Sequence, residues 1–189
     1  MSAGYLSNPL VFLVDTLIGA YIFILILRLL LQYTAADSRN PVSAFIIKLT
    51  QPPLSVLKPL FPTLKGLNLA AIVLIVAMRM LIGLVISLTQ GEFSIWAIFV
   101  WSLAESVGSV INVFLFSVFA TVIISWLNPG SYNPFVSLIY KISEPIMRPV
   151  QRLIPPIGGV DLAPMAALIV LQVLKMLLIP PILSLTSAF

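Results

Sequence analysis

Three ionisable side chains, Arg79, Glu105 and Lys175, stand inside stretches that are otherwise apolar. A charge in a hydrocarbon environment is costly, so it pairs, reaches water or serves a function. Arg79 lies 12 residues beyond Leu67, about 18 Å along a helix. Lys175 lies 14 residues beyond Asp161, about 21 Å by the same rise. Neither stands plainly at a water boundary, and Glu105 falls where it can pair with either. The sharper expectation is a polar cluster of Arg79, Glu105 and Lys175 within a helical bundle. The competing expectation is that the long basic stems snorkel to an interface and that Glu105 marks a helix start. Ser109, Ser117, Thr121 and Ser125 fall four or eight apart. That spacing suits close helix packing in lipid, with a hydroxyl-lined solute path as the alternative. Arg148 and Arg152, also four apart, can share a helical face and contact a phosphate.

Other chemistry is excluded by residue type. There is no cysteine and no histidine, so thiol nucleophiles, thiolate metal sites and a Ser-His-Asp arrangement are absent. Gly158-Gly159 lies among prolines and opens a helix instead of forming a phosphate loop. No paired carboxylates suited to hydrolysis stand out. No enzymatic activity, metal or cofactor is expected.

The elements that must position these groups are membrane spans. The chain has 189 residues, of which 60% are hydrophobic and 8% charged, with mean hydropathy +1.15. A soluble domain carries roughly 25% charged residues. A spanning helix needs about 20 mostly apolar residues. Four are expected: Pro9–Tyr33, Leu67–Thr89, Glu105–Leu127 and Asp161–Leu185. Pro9 suits a first helical turn, Gly91 breaks the second span, and Pro180-Pro181 kinks or ends the fourth. An outer segment carrying Trp96 and Trp101 should precede the third. No Lys or Arg precedes Arg28, so the first span reads as a retained helix and not as a signal peptide. Arg28 then anchors its inner end, and Asp15 has no evident role.

Basic residues set orientation. Seven of the ten, namely Arg39, Lys48, Lys58, Lys65, Lys141, Arg148 and Arg152, lie in the two long internal connections. Both termini and the connection around Gly91 and Glu92 hold none. The two connections should therefore be cytoplasmic and both termini outside. The spread of so few basic residues among apolar runs argues against direct nucleic-acid binding.

Sliding the chain by 93 residues aligns Asn40 with Asn133, Pro41 with Pro134, Lys48 with Lys141, Pro52 with Pro145, Pro62 with Pro155 and Asn68 with Asp161, without a gap. Two copies of a helix–connection–helix unit are expected, residues 1–92 and 93–189, related by a pseudo-two-fold along the membrane normal. In each connection an Asn-Pro pair starts a helix. Val42, Phe45, Ile46 and Leu49, then Phe135, Leu138, Ile139 and Ile142, form one apolar face. Pro52 and Pro145 should end these helices, with a shorter turn following. The amphipathic segments, 41–61 and 134–154, are too short to span and should rest at the interface.

These motifs resemble the YggT (YlmG) family of bacterial and plastid membrane proteins. The resemblance covers essentially the whole chain and is fuller in the second copy, through Asn133, Pro134, Ser143, Pro145, Arg148, Arg152, Pro155, Asp161 and Pro164. The first copy departs from it: Asn68 stands for the later Asp161, and Ala71 for Pro164. Membership implies an all-α, four-span protein of the bacterial inner membrane. It also implies association with cell division and membrane organisation, with osmotic or ion homeostasis, and in plastids with cytochrome assembly and nucleoid distribution. Two functions follow as expectations. One is a scaffold or assembly factor whose interfacial helices meet anionic lipid headgroups or membrane-protein partners. The other is a channel or transporter subunit acting as a homo-oligomer.

Overall fold

The structure is a computed structural model that describes residues 3–64, 66–90, 93–127, 133–154 and 161–187. The expectations placed on Lys65, Gly91, Glu92, Pro155, Gly158 and Gly159 lie outside them. The chain is all-α apart from one short hairpin. Its order is α1 (Ala3–Tyr33), α2 (Pro41–Leu57), β1 (Thr63–Leu64), β2 (Leu67–Asn68), α3 (Leu69–Gln90), α4 (Ile95–Leu127), α5 (Pro134–Leu153) and α6 (Ala163–Ser184). Among the described residues, α1, α3, α4 and α6 are long and apolar enough to cross a membrane. The protein is a multi-pass membrane protein. Large apolar side chains such as Phe12, Leu17, Phe116, Phe119, Met176 and Leu177 stand exposed on the bundle surface, which suits hydrocarbon and not water.

The connections begin as the sequence indicates. The Asn40 side chain accepts a hydrogen bond from Val42 N at 2.9 Å, and Asn133 accepts from Phe135 N at 3.0 Å. In each case an Asn cap is followed by proline at the first helical position, where its missing N–H is harmless. Asn40 Nδ2 also donates to the Pro134 carbonyl at 2.8 Å, so α2 and α5 meet at their N-terminal ends.

Pro52 and Pro145 do not end these helices, contrary to the sequence expectation. α2 runs on through Pro52 and Pro53, and α5 through Pro145 and Pro149. A proline inside a helix removes one N–H and leaves the carbonyl four residues back without its partner. Pro53 frees the Leu49 carbonyl, and the Tyr21 hydroxyl of α1 donates to that oxygen at 3.3 Å. Tertiary contact thus supplies a bond that the helix gave up. The inward face also differs from the expected one. α2 buries Ser43, Ile46, Thr50 and Leu54, while Phe45, Leu49 and Val56 are exposed. α2 therefore docks by a mixed face and turns an apolar stripe outward. α5 is closer to expectation, burying Leu138, Ile139, Ile142, Ser143 and Met147.

The spans differ from expectation at their ends. α1 begins at Ala3, so Pro9 lies inside the helix and not at its first turn. It stops at Tyr33, where Ala35 takes φ 49° and Ala36 N donates to Leu31 O at 2.9 Å. This left-handed cap closes the helix with no glycine. No separate outer segment precedes the third span: α4 is continuous over 33 residues. Nothing between Ile95 and Glu105 breaks a helix, and a tilted helix can exceed the bilayer thickness. α6 continues through Pro180 and Pro181 to Ser184, and Trp96 Nε1 donates to the Leu185 carbonyl beyond its end at 2.9 Å. Before α3, Gly66 adopts φ 85° and permits the tight turn between β1 and β2.

The core lies mainly where α1 and α3 meet α2 and α4, with Ile22, Leu25, Leu54, Ala70 and Ile82 at or near zero exposure. A second cluster joins α4, α5 and α6 through Val118, Met147, Ala163, Ala167 and Leu171. α3 and α4 approach closely at Gly83, where an added Cβ would lie 3.1 Å from Ile98 Cγ2 and 3.2 Å from the Trp101 ring.

Candidate functional site

Arg79 sits midway along α3 with its side chain 14% exposed. Its Nη2 donates to Ser109 Oγ of α4 at 2.8 Å, and its Nη1 lies 3.7 Å from Asp15 Oδ1 of α1. Its Nε is buried without a partner among the described residues. The acid that meets Arg79 is therefore Asp15 and not Glu105. Asp15, to which the sequence assigned no role, is half exposed. Glu105 makes no ion pair among the described residues. It stands one helical turn from Ser109, which takes the contact instead. Lys175 of α6 donates to Asn112 Oδ1 of α4 at 2.9 Å. The expected trio is thus not brought together by direct pairing. Two cations each dock on α4, at Ser109 and Asn112, three residues apart. Arg79, Ser109 and Asn112 share a cleft of about 380 Å³ with Gly19 and Phe116.

The hydroxyl series divides. Ser117 and Thr121 are buried and donate to their own helix, to Phe114 O at 2.9 Å and Val118 O at 2.6 Å. Ser109 serves Arg79. Ser125 is exposed beside a second and larger cleft.

That cleft, about 1040 Å³, lies between the C-terminal end of α4, the length of α5 and the start of α6. Spacing along α5 builds its charged side. Lys141, Glu144 and Arg148 follow at three and four residues, so successive turns stack them on one face. Lys141 Nζ donates to Glu144 Oε2 at 2.8 Å, and Arg148 Nη2 pairs with Glu144 Oε1. The Lys141 hydrogen bond, then the positive charges of Arg148 and Lys141, hold the Glu144 carboxyl below its usual range, while desolvation opposes them. A lowered carboxyl pKa contributes stability above the unfolded group's pKa, and the contribution is lost as pH falls through the lowered value. The Glu144 carboxylate is therefore held in its charged form by these neighbours. Arg152 is exposed in the last turn of α5 and is not part of this lining. Asp161 lines the cleft, with Oδ1 accepting from Ala163 N at 2.9 Å and Oδ2 from Gln151 Nε2 at 3.1 Å. Asn68, at the matching place before α3, is fully buried and accepts from Ala71 N at 3.2 Å.

Among the described residues no group of three or more acidic side chains is placed to hold a metal ion. A family model described as CCB3/YggT matches residues 7–89 and again 100–182. An uncharacterized protein of Pseudomonas aeruginosa is 34% identical over 185 residues, 96% of this chain and 94% of its own length. The uncharacterized protein YggT of Escherichia coli K12 is 28% identical over 170 residues, 89% of this chain and 88% of its own. A relative from Vibrio alginolyticus, named only as an uncharacterized protein in the proC 3′ region, is 32% identical over 171 residues, 87% of this chain and 90% of its own. No solved structure matches.

Proposed function

This chain belongs to the CCB3/YggT family, and from that premise we propose that it is a non-enzymatic scaffold or assembly factor of the bacterial inner membrane, serving envelope organisation or division. The observation that carries this reading is how its charges are used. Arg79 and Lys175 are bound to neighbouring spans, through Asp15, Ser109 and Asn112, so they tie helices together. Arg148 and Arg152 remain exposed on α5, available to a membrane-protein partner or an anionic lipid surface. The bias of basic residues toward α2, α5 and their flanks supports a cytoplasmic position for these helices, with both termini outside. The two family-model matches, offset by the same 93 residues as the sequence repeat, support a duplicated unit of span, amphipathic interfacial helix and span.

A second reading, a small channel or transporter subunit in osmotic tolerance and ion homeostasis, draws on the cleft beside Arg79, Ser109 and Asn112. Purified protein reconstituted in liposomes separates the two. The scaffold reading expects ion and osmolyte flux equal to that of empty vesicles, unchanged by Arg79→Gln. Flux above that background, lost on Arg79→Gln, would overturn it.

A further inference from the structure

The cleft between α4, α5 and α6 combines two surfaces that ordinary solvent pockets do not. Along α5 it is charged, through Lys141, Glu144 and Arg148. On the other side Phe119 of α4 and Met165 of α6 line it, and both side chains are exposed on the bundle surface. Its volume, about 1040 Å³, is at the upper end for a small-molecule site. The charges are only partly spent. Glu144 occupies one N–H of Lys141 and one nitrogen of Arg148, yet an ammonium carries three donors and a guanidinium five. Both oxygens of Asp161 are already engaged. Donor capacity therefore remains on both cations, and the triad carries one net positive charge, with the Asp161 carboxylate on the facing side of the cleft turned to Ala163 N and Gln151. A phosphodiester carries one negative charge and only acceptor oxygens.

We propose that this cleft binds one phospholipid molecule, with its phosphodiester on Lys141 and Arg148 and an acyl chain along Phe119 and Met165. Glu144 holds the two cations about one turn to either side of itself, so the donors are set before the lipid arrives. Trp126, also in the lining and 81% exposed, suits the headgroup level where indole rings favour the boundary. The inference goes beyond the scaffold reading and holds equally for a channel.

Native mass spectrometry of the full chain, delipidated in detergent, tests it. The probes are phosphatidylglycerol, phosphatidylethanolamine and diacylglycerol with the same acyl chains. The wild type should retain one molecule of either phospholipid and no diacylglycerol. Lys141→Gln with Arg148→Gln should weaken retention roughly tenfold or more, as loss of charge-assisted hydrogen bonds implies. Val122→Trp, which fills the cleft and leaves every charge in place, should weaken it as well, so a folding failure of the charge variant leaves a second arm. Arg39→Gln should change nothing. Equal retention of diacylglycerol, of phosphatidylglycerol alone, or of many lipids without saturation would overturn the assignment, as would wild-type retention by either cleft variant.

Discussion

Asp15→Asn is expected to destabilise the bundle by about 2–3 kcal/mol, more than Arg79→Gln does. The two partners are unequal. Arg79 is largely buried, and among the described residues its Nε has no partner and it makes one hydroxyl contact besides the acid. Removing the Asp15 charge leaves a largely buried cation with Ser109 as its one hydrogen-bond acceptor among the described residues. Removing Arg79 leaves a half-exposed carboxylate near the start of its span, which can reach the boundary at a cost of about 1 kcal/mol. The double variant removes both charges and should recover most of the Asp15→Asn loss, a coupling that independent sites do not show. Unfolding by SDS titration in mixed micelles measures all three. Additive losses, or Arg79→Gln as the more damaging change, would contradict the pairing.

Gly83→Leu is expected to cost about 3 kcal/mol in the same assay. α3 and α4 pack at Gly83 against Ile98 and Trp101, with no room for a branched side chain. Small residues at such crossings let helices approach in lipid, where dispersion and not water expulsion drives association. Gly83→Ala should be nearly neutral, because a helix-propensity gain of about 1 kcal/mol offsets mild crowding. Gly19→Ala is the control: an added Cβ there meets nothing within 4 Å, so the same propensity gain should appear without penalty. If Gly83→Leu matches the wild type, the α3–α4 contact is not close packed.

Much of the architecture was legible because its signals are local. Four apolar runs give four spans, and Asn40-Pro41 and Asn133-Pro134 mark the starts of α2 and α5 through cap chemistry that needs only three residues. The ends were less legible, because tertiary contacts decide them. Pro53 leaves a carbonyl unpaired, and only a folded chain brings Tyr21 to it. The α2 face was misread for a related reason. In a membrane an apolar stripe can face lipid, so Phe45 and Leu49 turn outward while Ser43 and Thr50 are buried. Arg79 was recognisable as costly from its place in an apolar run. Its partner was not, since the choice between Glu105 and Asp15 depends on the rotation of α1 and α4 about their axes. The charged side of the larger cleft was visible only in part. Arg148 and Arg152 share a spacing of four, but Glu144 draws Arg148 toward Lys141, and Arg152 is not in the lining.

The scaffold reading requires α2 and α5 at the cytoplasmic boundary, and the chain's lack of cysteine makes that directly measurable. Single cysteines at Lys48, Arg152 and Ser94 can be probed with a membrane-impermeant maleimide. In intact cells with a permeabilised outer membrane, Ser94→Cys should label while Lys48→Cys and Arg152→Cys stay protected, and inverted inner-membrane vesicles should reverse the pattern. Labelling of Lys48→Cys or Arg152→Cys from outside would contradict it.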